Sequence, residues 1–377
     1  MCLSDFSNLS HRKYFEISHN SRNFNLQNKP TVGMNKFFTL LFTCILSLSV
    51  HAQDIHFSQF YASPLTLNPG LTGAFNGNIR GIVNYRNQWN SFAPFNTFAA
   101  SVDMNFGQSF LKYDLMGFGL SAFSDAAGDT KYSSTQVNMT FCYIKTLGNK
   151  YHPSYMSAGF QGGYAQKSVN YLAMTFANQF DGVYYDPTLG TGESIGFESR
   201  GYLDLSAGLM WYLVPKEDKF SMYLGGSVYH VNEPNQSIGA EDDRLYMKYS
   251  GHAGAQIPVG KMTSLVPAFM MNIQGPYSEY FGGANLKFYL EGMQWSSTAI
   301  SFGVWQRVVG DVEAATKAEA TILAARLDYD KISLGVSYDV NISSLAEASK
   351  NNGGPEISLS YITNLPQRER RIPCPKF

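Results

Sequence analysis

Ile332-Ser333-Leu334-Gly335-Val336-Ser337-Tyr338-Asp339-Val340 places a large apolar side chain at every second position and a small or polar one between. Side chains along a strand alternate between two faces, so this stretch has one apolar face and one polar face. The pattern recurs. Phe98, Ala100, Val102, Met104 and Phe106 alternate with Thr97, Ser101, Asp103 and Asn105. Val137, Met139, Phe141 and Tyr143 alternate with Gln136, Asn138 and Thr140, and Leu203, Leu205, Ala207, Leu209 and Trp211 with Asp204, Ser206 and Gly208. Each run approaches the ~10 residues that a tilted strand needs to cross a bilayer, whereas strands of soluble sandwiches centre on about five or six.

Extended to the whole chain, the alternation predicts strands near 79–89, 97–106, 115–124, 132–145, 155–167, 201–213 and 220–230. Seven more follow near 246–257, 263–273, 279–290, 298–306, 319–328, 331–340 and 356–363. The expectation is an all-β protein, a transmembrane outer-membrane β-barrel of about 14 antiparallel strands over residues 79–364, even in number as a single-chain barrel requires. Connections at 168–200, 231–245, 307–318 and 341–355 are long, and those at 214–219, 258–262 and around Asp330 are short. Long loops outside and short turns inside are the expected asymmetry. One stretch argues back: Asp311–Leu327, rich in Ala, Glu, Lys and Leu, has the propensity of a surface helix, with Ile322–Leu327 then joining the sheet.

Composition supports a membrane barrel. Aromatic residues make up 15% and charged residues only 15%, which suits aromatic girdles at two membrane interfaces. Mean hydropathy is −0.18, as expected where lipid-facing and lumen-facing side chains alternate. With 28 Lys+Arg against 29 Asp+Glu there is no basic excess for nucleic acid. The strand glycines Gly117, Gly119, Gly162, Gly163, Gly225, Gly226, Gly282 and Gly283 predict bent walls or a crowded lumen, because glycine weakens a strand that does not need close approach.

Both ends fall outside the alternation. Lys36 precedes an apolar run from Phe37 to Val50, shorter than the ~20 residues of a spanning helix, and His51-Ala52 precedes Gln53. Residues 34–52 are therefore expected to be a secretory signal peptide cleaved between Ala52 and Gln53, with residues 1–33 an over-extended start ahead of Met34. A lipoprotein signal is disfavoured because Cys44 lies inside the apolar run. Residues 53–78, rich in Phe, Asn and Pro, are expected to form an irregular periplasmic segment or a plug reaching into the lumen. Residues 365–377, with Arg368, Arg370 and Arg371, are expected to be a periplasmic tail. Removal of the signal leaves Cys142 and Cys374, whose separation makes a weak case for pairing.

Chemistry-bearing motifs are scarce. His56, His152, His230 and His252 lie on different elements, and no nucleophile-elbow pattern surrounds a serine. Asp125 and Asp129, and Glu241-Asp242-Asp243, lack the ligand spacing of a calcium loop and suit solvated loops better. The expectation is a protein that is not an enzyme and takes no cofactor or metal.

Gln53-Asp54-Ile55-His56-Phe57-Ser58-Gln59-Phe60-Tyr61, followed by Leu67-Asn68-Pro69 and Thr72-Gly73, resembles the opening of the PorP/SprF family. Asn84-Tyr85-Arg86-Asn87-Gln88-Trp89 is similar to its next hallmark. So are Ser337-Tyr338-Asp339-Val340-Asn341, Glu356-Ile357-Ser358-Leu359-Ser360-Tyr361 and the closing Cys374-Pro375-Lys376-Phe377, where Lys376 stands in place of an expected arginine. The resemblance implies an outer-membrane component of the type IX secretion system, a machine also tied to gliding motility. Such a protein aids export or surface anchoring of large proteins that carry a C-terminal sorting domain. It also implies a peptidoglycan-binding periplasmic lipoprotein as a partner, besides the lipid bilayer. The motif residues His56, Phe57, Gln59, Phe60, Tyr61, Asn68, Pro69, Cys374, Pro375 and Phe377 are the expected partner contacts, with segment 53–74 and the tail facing the periplasm. The Asp311–Lys317 insertion enlarges an outer loop. The alternative is an outer-membrane channel or ligand-selective porin with an open lumen.

Overall fold

The computed structural model describes residues 54–88, 94–107, 111, 114–128, 130–148, 153–192, 199–214, 220–238, 242–290, 298–311, 316–343, 346 and 352–363. Signal peptide, cleavage position, upstream residues and C-terminal tail all lie outside the described residues, as do His152, Asp129 and Glu241.

Fourteen strands form one closed antiparallel barrel. They are β1 (Ile79–Gln88), β2 (Phe95–Phe106), β3 (Leu115–Ala127), β4 (Tyr132–Gly148), β5 (Pro153–Ser168), β6 (Ser199–Leu213) and β7 (Ser221–Tyr229). The second half comprises β8 (Lys248–Pro258), β9 (Thr263–Gln274), β10 (Tyr277–Tyr289), β11 (Ala299–Asp311), β12 (Lys317–Tyr329), β13 (Ile332–Asn341) and β14 (Asn352–Thr363). Every strand pairs with its neighbours in sequence, and β1 closes the ring on β14, from Ile79↔Thr363 to Arg86↔Glu356. No described helix is long and apolar enough to cross a membrane.

The alternation read from sequence sorts the wall into two faces. Val336 and Tyr338 are 44% and 42% exposed, while Ser337 and Asp339 between them are 6% and 1% exposed. The outer surface is thus apolar and the interior polar, the inverse of a soluble protein.

The helix expected within Asp311–Leu327 does not form over the described part. Lys317–Tyr329 is strand throughout, with Ile322 opposite both Trp305 on β11 and Asp339 on β13. Two continuous ladders outweigh a modest helix propensity, and the outer loop expected at 307–318 is correspondingly short because β11 and β12 extend into it. The long connections between β5 and β6, β7 and β8, and β13 and β14 share one end of the barrel, the loop end. The tight turn at Asp330-Lys331 and residues 259–262 mark the other, the turn end.

Candidate functional site

Asp54–Asn78 lies inside the barrel. Its prolines set it into short turns instead of a strand: Pro64 and Pro69 each begin a turn, Pro64–Leu67 and Pro69–Leu71, where a missing N–H costs nothing. Asn68 caps the second, its Oδ1 accepting from Gly70 N at 2.7 Å. Its Nδ2 donates to the wall carbonyls of Leu209 (2.9 Å) and Gly226 (3.2 Å).

At the loop end the wall converges on residues 54–59. Glu356 on β14 accepts the backbone N–H groups of Ser58 (2.6 Å) and Gln59 (2.9 Å). Arg86 on β1 donates through Nη1 to the His56 carbonyl (2.6 Å) and through Nη2 to Asp339 (3.0 Å). Arg307 on β11 donates to the same Asp339 oxygen (2.9 Å) and to Ser58 Oγ (3.2 Å), and Ser58 Oγ in turn donates to Asp339 (2.8 Å). Asp54 lies 2.7 Å from Lys248 Nζ and 3.1 Å from His230, whose other ring nitrogen is 2.8 Å from Asp204.

Electrostatics follow from this packing. Burial alone would hold the His230 pKa down, but Asp54 and Asp204 push it up to about 9, so the imidazolium is retained at neutral pH. Burial works against ionised Asp54 too, yet Lys248 and His230 hold its carboxyl well below the usual range. His56 goes the other way: burial, then Arg86 and Arg307, drive its pKa well below 6.5. It is therefore neutral, and its 3.9 Å approach to Glu279 is no ion pair at neutral pH.

Midway, Phe60 packs edge-on against Phe281 (5.4 Å) and Trp305 (5.7 Å), and Tyr61 lies 5.4 Å from Trp305. Toward the turn end, Gly70 O accepts from Ser157 Oγ (2.6 Å), and buried Cys142 is 3.5 Å from the same oxygen. Gly73 N donates to Asp103 (2.8 Å), which Arg80 grips with two nitrogens. Asn78 N reaches Thr363 O at 2.9 Å.

Of the two expected placements of residues 53–78, an irregular periplasmic segment or a plug reaching into the lumen, Asp54–Asn78 takes the second: it begins beside the long loops and crosses the lumen to the end of the short turns before β1 begins. The expected contact residues His56, Phe57, Gln59, Phe60, Tyr61, Asn68 and Pro69 are lumen residues; Gln59 and Asn68 are 1% and 0% exposed. Their bonds and packing hold the segment to the wall. Cys374, Pro375 and Phe377 lie outside the described residues, so the pairing of Cys142 with Cys374 does too; among the described residues the buried Cys142 has no disulfide partner.

The wall fits the segment closely. A Cβ at Gly117 would collide with the Thr72 carbonyl, one at Gly159 with Pro69, and one at Gly208 with the Asn68 side chain. Gly117 was among the glycines expected to face a crowded lumen. Gly159 and Gly208, which oppose each other across β5 and β6, were missed, although both fall at inward positions of alternating strands. Gly162, by contrast, points outward and meets only Leu205, at 3.6 Å. Arg307 and Lys248 carried no recognisable signal, and Asp54 and His230 were named in the sequence without their partnership being visible.

The stretches singled out in sequence therefore meet in space: residues 56–59, Arg86, Asp339 and Glu356 are joined at one place in the lumen. Among the described residues no three His, Cys, Asp or Glu side chains group as a metal site. A family model for the type IX secretion system membrane protein PorP/SprF matches residues 49–361. The chain belongs to that family. A comparison with curated proteins finds no match. Among solved structures, this PorP/SprF barrel is similar to the TodX monoaromatic hydrocarbon channel in a ΔS2 mutant, at 11% identity and TM-score 0.43, covering 81% of this chain and 95% of that one. It is also similar to the CymD monoaromatic hydrocarbon channel (8%, TM-score 0.41, 81% and 94% covered) and to CdiB from Escherichia coli (13%, TM-score 0.41, 75% and 63% covered). Those likenesses are of barrel architecture and carry no functional argument. Family and fold are those of a secretion-system membrane component, and a membrane barrel of this family fits an outer-membrane location.

Proposed function

We propose that this PorP/SprF member is a non-enzymatic platform of the type IX secretion system in the outer membrane. It aids export or surface anchoring of large proteins carrying a C-terminal sorting domain, and so contributes to gliding motility where such proteins drive it. The chain is exported by the signal peptide 34–52, and the short turns and basic tail face the periplasm, where a peptidoglycan-binding lipoprotein docks. The long loops face the client.

The observation that carries this reading is the filled lumen. A passive pore needs an open path, whereas here residues 54–78 occupy the barrel along its length and are bonded to the wall at both ends. Purification of the tagged protein from solubilised outer membranes tests it. Co-recovery of a large secreted protein with a sorting domain, and its loss from the surface when the gene is deleted, is expected. A companion-free barrel with steady conductance in planar bilayers would replace the platform with a channel.

A further inference from the structure

The segment does not fill the lumen evenly. Beyond the packed rings of Tyr61 and Trp305, toward the turn end, a cavity of about 120 Å³ remains between segment and wall. Leu71 of the segment lines it, with Met210 and Tyr212 of β6, Tyr223 of β7, and Ile82 and Ile362 of the β1–β14 seam on the other side of the ring. The exposed turn residues Asp330 and Lys331 also belong to the lining, so the cavity opens at the turn end. Its two arginines are already matched: Arg80 lies 2.8 Å from Asp103, and Arg326 2.9 Å from Asp328. With those charges taken, the fitting guest is an uncharged apolar group. An apolar cavity of roughly 150 Å³ takes up one benzene, so this one is sized for a single aromatic ring and not for a long chain. Asn76 Oδ1, also in the lining, is buried and has no hydrogen-bond partner among the described residues. It can accept a backbone N–H that arrives with the ring, which removes the cost of an unmade bond.

We propose that the ring of Phe377 occupies this cavity, carried there by residues 364–377 folding back over the turn end of the barrel. The chain leaves the wall at the right place: β14 ends at Thr363, one residue after the cavity-lining Ile362, and Thr363 O is fixed by Asn78 N at 2.9 Å. The fourteen residues of 364–377 can span roughly 46 Å when extended, far more than a return to the rim requires. Past Leu365, which directly follows the strand, Ile372 and Phe377 are the large apolar side chains of this stretch. Phe377 is the aromatic one, and the cavity offers it the rings of Tyr212 and Tyr223 for offset or edge-on packing. Pro373 and Pro375 restrict the backbone ahead of it, so docking orders fewer free dihedrals. A tethered ring is also present at an effective concentration on the order of millimolar, which favours it over a free apolar molecule. Arg368, Arg370 and Arg371 are too polar for the cavity and stay in water at its mouth. The inference stands apart from the secretion reading, since it concerns where the chain's own residues go and not what the cell exports.

The test uses the full chain, produced with photo-methionine, purified from outer membranes under reducing conditions, irradiated and mapped by peptide mass spectrometry. Met210 lines the cavity and is 2% exposed, so its diazirine samples what lies inside. A cross-link from Met210 to the peptide holding Phe377 is expected, with a yield independent of protein concentration. Phe377→Ala is expected to lower that yield on the order of tenfold to a hundredfold, the range set by burying one such side chain. Ile372→Ala is expected to leave it unchanged. Leu71→Trp, which fills the cavity from the segment side, is expected to abolish the cross-link while the heat-modifiable mobility of the folded barrel persists. Cross-links from Met210 that reach only its neighbours on the wall and segment would overturn the docking. A yield that rises with protein concentration would overturn it too, by assigning the cavity to a second copy, and a cross-link indifferent to Phe377→Ala would overturn the choice of ring.

Discussion

Arg86 and Glu356 face each other across the seam where β1 meets β14, and both turn inward to hold residues of the same short stretch, 56–59. Arg86 takes the carbonyl of His56, and Glu356 takes the N–H groups of Ser58 and Gln59. Ring closure and docking of the segment therefore depend on the same two strands.

Asp339 is the shared acceptor of Arg86 and Arg307. Asp339→Ala leaves two buried guanidiniums facing each other and is expected to cost about 3–5 kcal/mol, the usual penalty for breaking a buried pair. A lower midpoint of the heat-induced mobility shift of the folded barrel on gels measures it.

Gly159→Val and Gly162→Val separate the lumen from the lipid face on one strand. The first places atoms into Pro69 and is expected to displace the segment, exposing Cys142 to a thiol reagent and opening a conductance. The second, which meets only Leu205, is expected to leave both unchanged. Peptide-resolved labelling of Cys142 and bilayer recordings provide the two readouts.

The alkaline limit of the segment's anchorage is set by His230. Its folded pKa of about 9 lies above the ordinary 6.5, so its contribution is complete below about pH 6.5 and is lost as pH rises through about 9. That shift is worth on the order of 3 kcal/mol. Asp54, with a depressed pKa, contributes above its ordinary 3.8 and loses that contribution as pH falls below it. Heat stability of the native protein is expected to fall from pH 7 to 10, and His230→Gln to be less stable but flat over that range. An unchanged slope in the variant would remove His230 from the account.

Orientation is testable by paired cysteines. Val183→Cys, in an exposed part of the long β5–β6 connection, is expected to react with an impermeant maleimide on intact cells. Lys331→Cys, at the turn end, is expected to react only after the outer membrane is opened. The reverse pattern would invert the barrel.

Much of this fold was legible because lipid and lumen impose opposite demands on successive residues, and a period of two survives in sequence without any knowledge of contacts. All fourteen strands were placed on that basis. Lys317–Tyr329 was ambiguous since its Ala, Glu and Lys carry a local preference that only pairing with β11 and β13 overrules. The direction of Asp54–Asn78 was not legible at all. An irregular segment has no period, and its decisive bonds join residues nearly the whole chain apart, as Ser58 does with Glu356. Resemblance marked Arg86, Asp339 and Glu356 one by one, but only the closed ring shows that they share a task.

The threaded segment also gives the barrel a mechanical axis. Asp54 sits at the loop end, held by Lys248 and His230, while Thr363 lies at the turn end beside Asn78. A pull applied at Asp54 on one side of the membrane and at Thr363 on the other runs lengthwise through the wall. The bonds between segment and strands then share the load in shear instead of peeling apart one by one. Loaded along that line, segment and wall are held by many bonds in shear with the lumen still filled.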